Sequence, residues 1–279
     1  MTELNQLYRE LELLKKSLFE ERNLQKVLEI GKSIKVAYIL YDITLTHVRG
    51  ELIKTLLGVK IPYEKIPTSS ITNIINVIWY LYNELGLERK KIGKIVKKLP
   101  QLLGLSVEYI SGRVEYLRGL GIKNVGKVVE KFPSTIELSV EYMDEKVNYL
   151  KKIGIKNVGK VVEKFPQVLS VGDIDSKIKY LQKIGFDLNE IVRYIENNPS
   201  IVAYSLSRLI ARIEYAISKG YRIKSLSTVF SLTYPSDKGF VEKLKRLGYT
   251  ASLEEYIEFK ESEKLENIVR EFSYSKNLR

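Results

Sequence analysis

The chain has no cysteine and a single histidine, His47, among 279 residues. Disulfides, thiol nucleophiles and Cys/His zinc sites are thereby excluded, and any Ser-His-Asp triad would have to be built around that one residue. No apolar run approaches the roughly 18 to 20 residues that a membrane span needs. The first residues, MTELNQLYRELELLKK, have neither the apolar core of a signal peptide nor the acid-poor character of a transit peptide. Gly31–Ser33 reads GKS, but Lys26 stands where a phosphate-binding loop needs its first glycine, so nucleotide hydrolysis is not expected. Neither an enzyme, nor a metal or other cofactor, nor a small-molecule substrate is implied.

Proline is also scarce, at seven residues, yet five of the seven are evenly spaced. Pro67, Pro100, Pro133, Pro166 and Pro199 lie 33 residues apart, and Pro235 follows after 36. Between them, Gly86, Gly121, Gly154, Gly185, Gly220 and Gly248 each close a stretch of the type LRGLG or LKKIG. The thirteen residues GIKNVGKVVEKFP occur twice without a difference, at 121–133 and 154–166. A fixed period of this length is the signature of stacked repeats.

Within a unit, Val125, Val128, Val129 and Phe132 fall at i, i+3, i+4 and i+7, which predicts a short helix stopped by proline. After a linking turn, Met143, Val147, Leu150 and Ile153 predict a longer helix ended by Gly154. Neither helix can bury its apolar stripe alone. The expected fold is an all-α helical-repeat solenoid of about 33-residue units, with an N-terminal helical cap over 1–59, repeats over 60–249 and a C-terminal capping helix over 250–279.

The endings RVEYLRGLG (113–121), KVNYLKKIG (146–154) and KIKYLQKIG (177–185), with their proline-stopped short helices, resemble the repeat of the mitochondrial transcription termination factor (mTERF) family. RIEYAISKG (212–220) departs from the pattern at Ala216. The resemblance implies helix pairs followed by a short 3₁₀ turn, coiled into a superhelix whose basic concave face holds double-stranded DNA or, in some members, RNA. It also implies a role in terminating or regulating transcription. With no presequence in view, a prokaryotic or archaeal member associated with the nucleoid is one expectation. A mitochondrial matrix protein whose presequence was removed is the other.

Leu4, Leu7, Leu11, Leu14 and Leu18 form a seam about two heptads long. A capping helix packed on the first repeats is the simpler reading, with a coiled-coil dimer as its rival, so a monomer is expected. Residues 252–271 read as an acidic capping helix opened by Ser252 and Glu255.

Charge follows the repeats. Residues 67–248 carry 30 Lys and Arg against 18 Asp and Glu, while 1–66 net +2 and 249–279 net −2. A surplus spread along a periodic scaffold is the footprint of a polyanion track. Two columns stand out. Lys94, Lys127, Lys160 and Arg193 lie six residues before successive prolines, opposite the apolar stripe, and suit either phosphate contact or an ordinary solvated face. Arg113, Lys146, Lys177 and Arg212 lie eight residues before successive glycines, inside an apolar arc. A cation there must snorkel to a groove or meet a carboxylate of the next unit. If it snorkels, its rigid placement makes it the stronger phosphate contact.

Beside this inner column, Tyr116, Tyr149, Tyr180 and Tyr215 suit packing between repeats better than base stacking. Double-stranded DNA is the expected partner, RNA the alternative, and a helical scaffold for another protein the reading of a different class.

Overall fold

The computed structural model describes residues 2–40 and 45–273, with side chains from residue 8 onward except those of 24, 33 and 35–44. Every regular element among them is helical. Three helices come first, α1 (Thr2–Phe19), α2 (Leu24–Leu40) and α3 (Leu45–Leu57). Leu11, Leu14 and Leu18 of the α1 seam are completely buried, and α1 packs on both α2 and α3. Leu4 and Leu7 lie outside the described side chains. The GKS of 31–33 is inside α2, so no phosphate-binding loop exists there.

The repeats alternate longer and shorter helices. The longer ones are α4 (Ile71–Asn83), α6 (Val107–Gly119), α8 (Val140–Lys152), α10 (Ile174–Lys183) and α12 (Leu206–Ser218). The shorter ones are α5 (Arg89–Lys98), α7 (Val125–Lys131), α9 (Val158–Lys164), α11 (Leu188–Asn197) and α13 (Leu226–Thr233). Then follow α14 (Asp237–Arg246), α15 (Leu253–Glu261) and α16 (Glu263–Ser273). Each of Pro100, Pro133, Pro166 and Pro199 opens a 3₁₀ turn, where its missing N–H costs nothing. Pro67 instead follows its 3₁₀ turn (Tyr63–Lys65), and Pro235 leads straight into α14.

Contacts group the chain into two compact units, Met1–Glu145 and Lys146–Arg279. In the first, α2 packs on α4, α3 on α5, α4 on α6 and α5 on α7. In the second, α9 packs on α11, and α10 on α11 and α12, while α16 covers α10 and α12. Longer helices thus stack on longer ones and shorter on shorter. Most of each predicted stripe is buried, with Val125, Val128, Val129, Met143, Val147 and Leu150 at most 4% exposed, while Phe132 and Ile153 at the helix ends are half-buried.

All six punctuating glycines have positive φ, 81° at Gly121 and 104° at Gly154. At Gly154 the amide bonds back to Lys151 O and that of Ile155 to Leu150 O, which closes the helix end. Gly93 and Gly126 serve a different need. A Cβ on Gly93 would lie 2.8 Å from the carbonyl oxygen of Leu57, and one on Gly126 would overlap that of Leu85. Helices α5 and α7 can therefore approach the end of a preceding helix only through a glycine.

Two elements differ from the periodic expectation. Helix α10 lacks its first turn: Ser106, Ser139 and Ser205 cap their helices by accepting an amide three residues on, whereas Ser170 bonds to Gln167 O. Gly172 and the left-handed Asp173 (φ 56°) delay the helix to Ile174. The acidic C-terminal segment is two helices, not one. Ser262 is extended and caps α16 by accepting from the Leu265 amide at 3.3 Å, which breaks the run.

Candidate nucleic-acid interface

The inner column resolves into distinct environments. Arg212 is fully buried on α12. Its Nη1 donates to the carbonyl oxygens of Leu232 (2.9 Å), Thr233 (2.9 Å) and Pro235 (2.7 Å), and its Nη2 to Asp237 Oδ1 at 2.7 Å. The carbonyls of Leu232 and Thr233 are left without amide partners where α13 ends, and Pro235 O also accepts from Arg208, so the guanidinium acts as a cap supplied by the preceding helix. Burial pushes the Asp237 carboxyl up, but hydrogen bonds from Arg212 and Lys260 outweigh it and hold the group below the usual aspartate range.

Lys177 is 9% exposed and donates to Val202 O at 2.6 Å, in the 3₁₀ turn of the next repeat. Burial holds its ammonium below the usual lysine range, with Asp173 pulling the other way. Arg113 is half-buried and folded over the ring of Tyr109 at 3.3 Å from the centroid. Lys146, also half-buried, lines a cavity of about 880 Å³ with Tyr149, Asp173, Asp175 and Lys179, beside the missing turn of α10.

The charges of Lys177 and Arg212 are thus directed at main-chain oxygen, an outcome that neither phosphate contact nor a carboxylate ladder describes, although Arg212 also meets the carboxylate of Asp237. Arg49 of α3 belongs to the same class, though the period did not reveal it: 7% exposed, it donates to Thr68 O at 2.9 Å beside Pro67. Its signal was a basic residue among apolar ones nine residues before Gly58, a further glycine of positive φ.

The outer column is uniformly exposed. Lys94, Lys127, Lys160 and Arg193 all stand in water on the short helices α5, α7, α9 and α11. Among the described residues none of their side chains makes an ion pair, and Arg193 makes only a 3.3 Å bond to Asn189 O of its own helix. The local fold sets their direction. Asn124 and Asn157 accept the amides of Lys127 (2.8 Å) and Lys160 (2.9 Å), which fixes the first turn of α7 and α9 and turns the lysines away from the buried valines.

A sequence model of the mTERF family matches residues 11–240. The chain belongs to the mTERF family. No curated protein matches it. The mTERF match contains all eight column cations and Arg49, and it ends ahead of α15 and α16. Nucleic acid is the partner class of mTERF proteins, linked in general to transcription termination.

The tyrosine column of this mTERF chain is structural where it is most buried. Tyr180 (0% exposed) donates to Glu214 at 3.0 Å and packs edge-on against Phe272 of α16, and Tyr215 (2%) is ringed by Phe240, Tyr256 and Phe259. Tyr116 donates to Asp144 at 3.2 Å. No helix among the described residues is long and apolar enough to cross a membrane.

Proposed function

We propose that this chain binds double-stranded DNA through the exposed cations of its short helices, and that by occupying the duplex it terminates or regulates transcription without catalysing a reaction. The observation that carries the reading is the contrast between the two columns. At one fixed position on α5, α7, α9 and α11, Lys94, Lys127, Lys160 and Arg193 are held in solvent with no ion pair among the described residues. Lys177 and Arg212 of the inner column have their charges satisfied within the fold. Cations kept available at a fixed repeat position suit contact with a phosphate backbone, which positions a protein without reading sequence.

A gel-shift series with duplex DNA, single-stranded DNA and duplex RNA across salt concentrations tests this. Tightest binding to duplex DNA, falling steeply with salt, is the expected result. Tighter binding to duplex RNA would make the protein an RNA binder acting through the same cations. Absence of binding to all three at low salt would leave a scaffold for another protein.

A further inference from the structure

The N-terminal ends of three helices meet at one cavity in the second unit. Its volume is about 740 Å³, and its wall carries Ser205, Ser236 and Ser262, the caps of α12, α14 and α16. Each serine accepts an amide of its own helix, at 3.2 Å, 3.2 Å and 3.3 Å. The helices are 13, 10 and 11 residues long, so three positive dipole ends are brought to one place. Leu265 and Val269 of α16 give the cavity an apolar side. The part of the wall built by α15 and α16 lies beyond residue 240, where the mTERF match ends, so the cavity is an addition to the repeats rather than one of their grooves.

Helix ends alone do not make a binding site. The second observation is a set of buried donors that the fold leaves without acceptors. Tyr256 is fully enclosed and lines the cavity, and its hydroxyl completes no hydrogen bond among the described residues. The charged groups around it are Arg212, Asp237 and Lys260. Arg212 and Lys260 can only donate, so neither takes the phenol proton, and Asp237 already accepts from both of them, at 2.7 Å and 3.1 Å. Arg208, also on the wall, directs its Nη2 to Pro235 O and, at 3.5 Å, to Tyr234 O, while its Nε is buried without an acceptor. The Nε of the fully buried Arg212 is in the same condition. All three missing partners are acceptors, and folded proteins rarely leave such groups unpaired. Three carboxylates also border the cavity. Asp237 is held by Arg212 and Lys260, and Glu266 by Arg270, while Glu261 is exposed to solvent.

We propose that this cavity binds a phosphate monoester, whose oxygens accept from the Tyr256 hydroxyl and the Arg208 Nε at the convergent helix ends and whose organic part lies against Leu265 and Val269. The apolar side and the volume favour an ester over the bare ion. A small soluble ester and the 5′-phosphate at a nucleic-acid end present the same group. The inference uses none of the exposed cations of the short helices, so it stands apart from the duplex-binding reading.

The probes are phenyl phosphate, inorganic phosphate and a 5′-phosphorylated oligonucleotide, each titrated calorimetrically into the full chain, with the unphosphorylated oligonucleotide as the blank. Wild type binds phenyl phosphate more tightly than inorganic phosphate. Tyr256→Phe removes only a donor that lacks an acceptor, so the free variant melts no lower than wild type while its affinity for phenyl phosphate falls about tenfold. Arg208→Lys keeps the charge, removes the Nε donor and weakens binding in the same direction. Lys94→Gln with Arg193→Gln leaves phenyl phosphate binding unchanged, which separates the cavity from the general attraction of a basic surface. If 5′-phosphorylation strengthens oligonucleotide binding through Tyr256 and phenyl phosphate does not bind, the same group comes from a nucleic-acid end. The proposal is overturned if neither free phosphate binds at millimolar concentration and 5′-phosphorylation adds nothing, or if Tyr256→Phe and Arg208→Lys both bind as wild type does. A Tyr256→Phe protein that melts well below wild type overturns it too, since the hydroxyl would then already have its partner within the fold.

Discussion

A guanidinium with no exposed surface is tolerated only when its donors find acceptors that themselves lack partners. Arg212 meets that condition through its Nη donors, because the carbonyls of Leu232 and Thr233 lie where α13 ends and no amide follows to take them. Arg212→Leu therefore strands the carbonyls of Leu232 and Thr233, while Pro235 O keeps Arg208 and Asp237 keeps Lys260, and it costs about 3 kcal/mol in denaturant unfolding, with Arg212→Lys recovering part of the loss. Asp237 supplies a second check, with its sign fixed by linkage. Its carboxyl titrates lower in the folded state than the ordinary value of 3.8, so its stabilising effect is complete above that pH and disappears as the pH falls through the folded value. The stability gap between wild type and Asp237→Asn, followed by thermal melts, should be constant near neutrality and close below pH 3.8. The position of Arg212 was legible in the sequence as a cation inside an apolar arc. Its role was not, since most of its acceptors are main-chain carbonyls, which every residue carries and no residue type announces.

At the scale of elements, glycine and proline made the repeat readable because their effects are local. Proline denies an amide to the chain, and the glycine at a helix end takes a φ that other residues avoid, so each marks a boundary wherever it falls. Gly126 obeys a different rule, for it lies within α7 against the carbonyl of Leu85. Gly126→Ala should cost about 1 to 3 kcal/mol by forcing α7 away from the end of α4. Gly112, exposed within α6 with open space around it, is the control: Gly112→Ala should leave stability unchanged or raise it by up to about 1 kcal/mol. Chemical denaturation of the two variants decides between the rules. The missing first turn of α10 and the break at Ser262 were not legible. Gly172 and Ser262 stand in sequences that a helix also tolerates, and the outcome depended on which competing cap won.

At the scale of the whole molecule, the surplus of positive charge lies in the repeats, but the fold divides it between cations that hold neighbouring turns together and cations that face solvent. Only the second kind exchanges counterions with a polyanion. The sequence supplied the surplus and both columns; the division required knowing which carbonyls each long helix meets. Salt dependence measures it directly, because each phosphate neutralised on a duplex contributes about 0.9 to the slope of log affinity against log salt. Replacing Lys94, Lys127, Lys160 and Arg193 together by Gln should lower that slope by about 3 to 4 while leaving the melting temperature close to wild type, since all four are exposed and outside any ion pair. Replacing Lys177 alone by Gln should do the reverse, because its ammonium holds Val202 O and has little surface to offer: melting falls and the slope stays. A Lys177→Gln protein that melts normally but binds with a reduced slope would return the inner column to the interface and take the short-helix cations out of it.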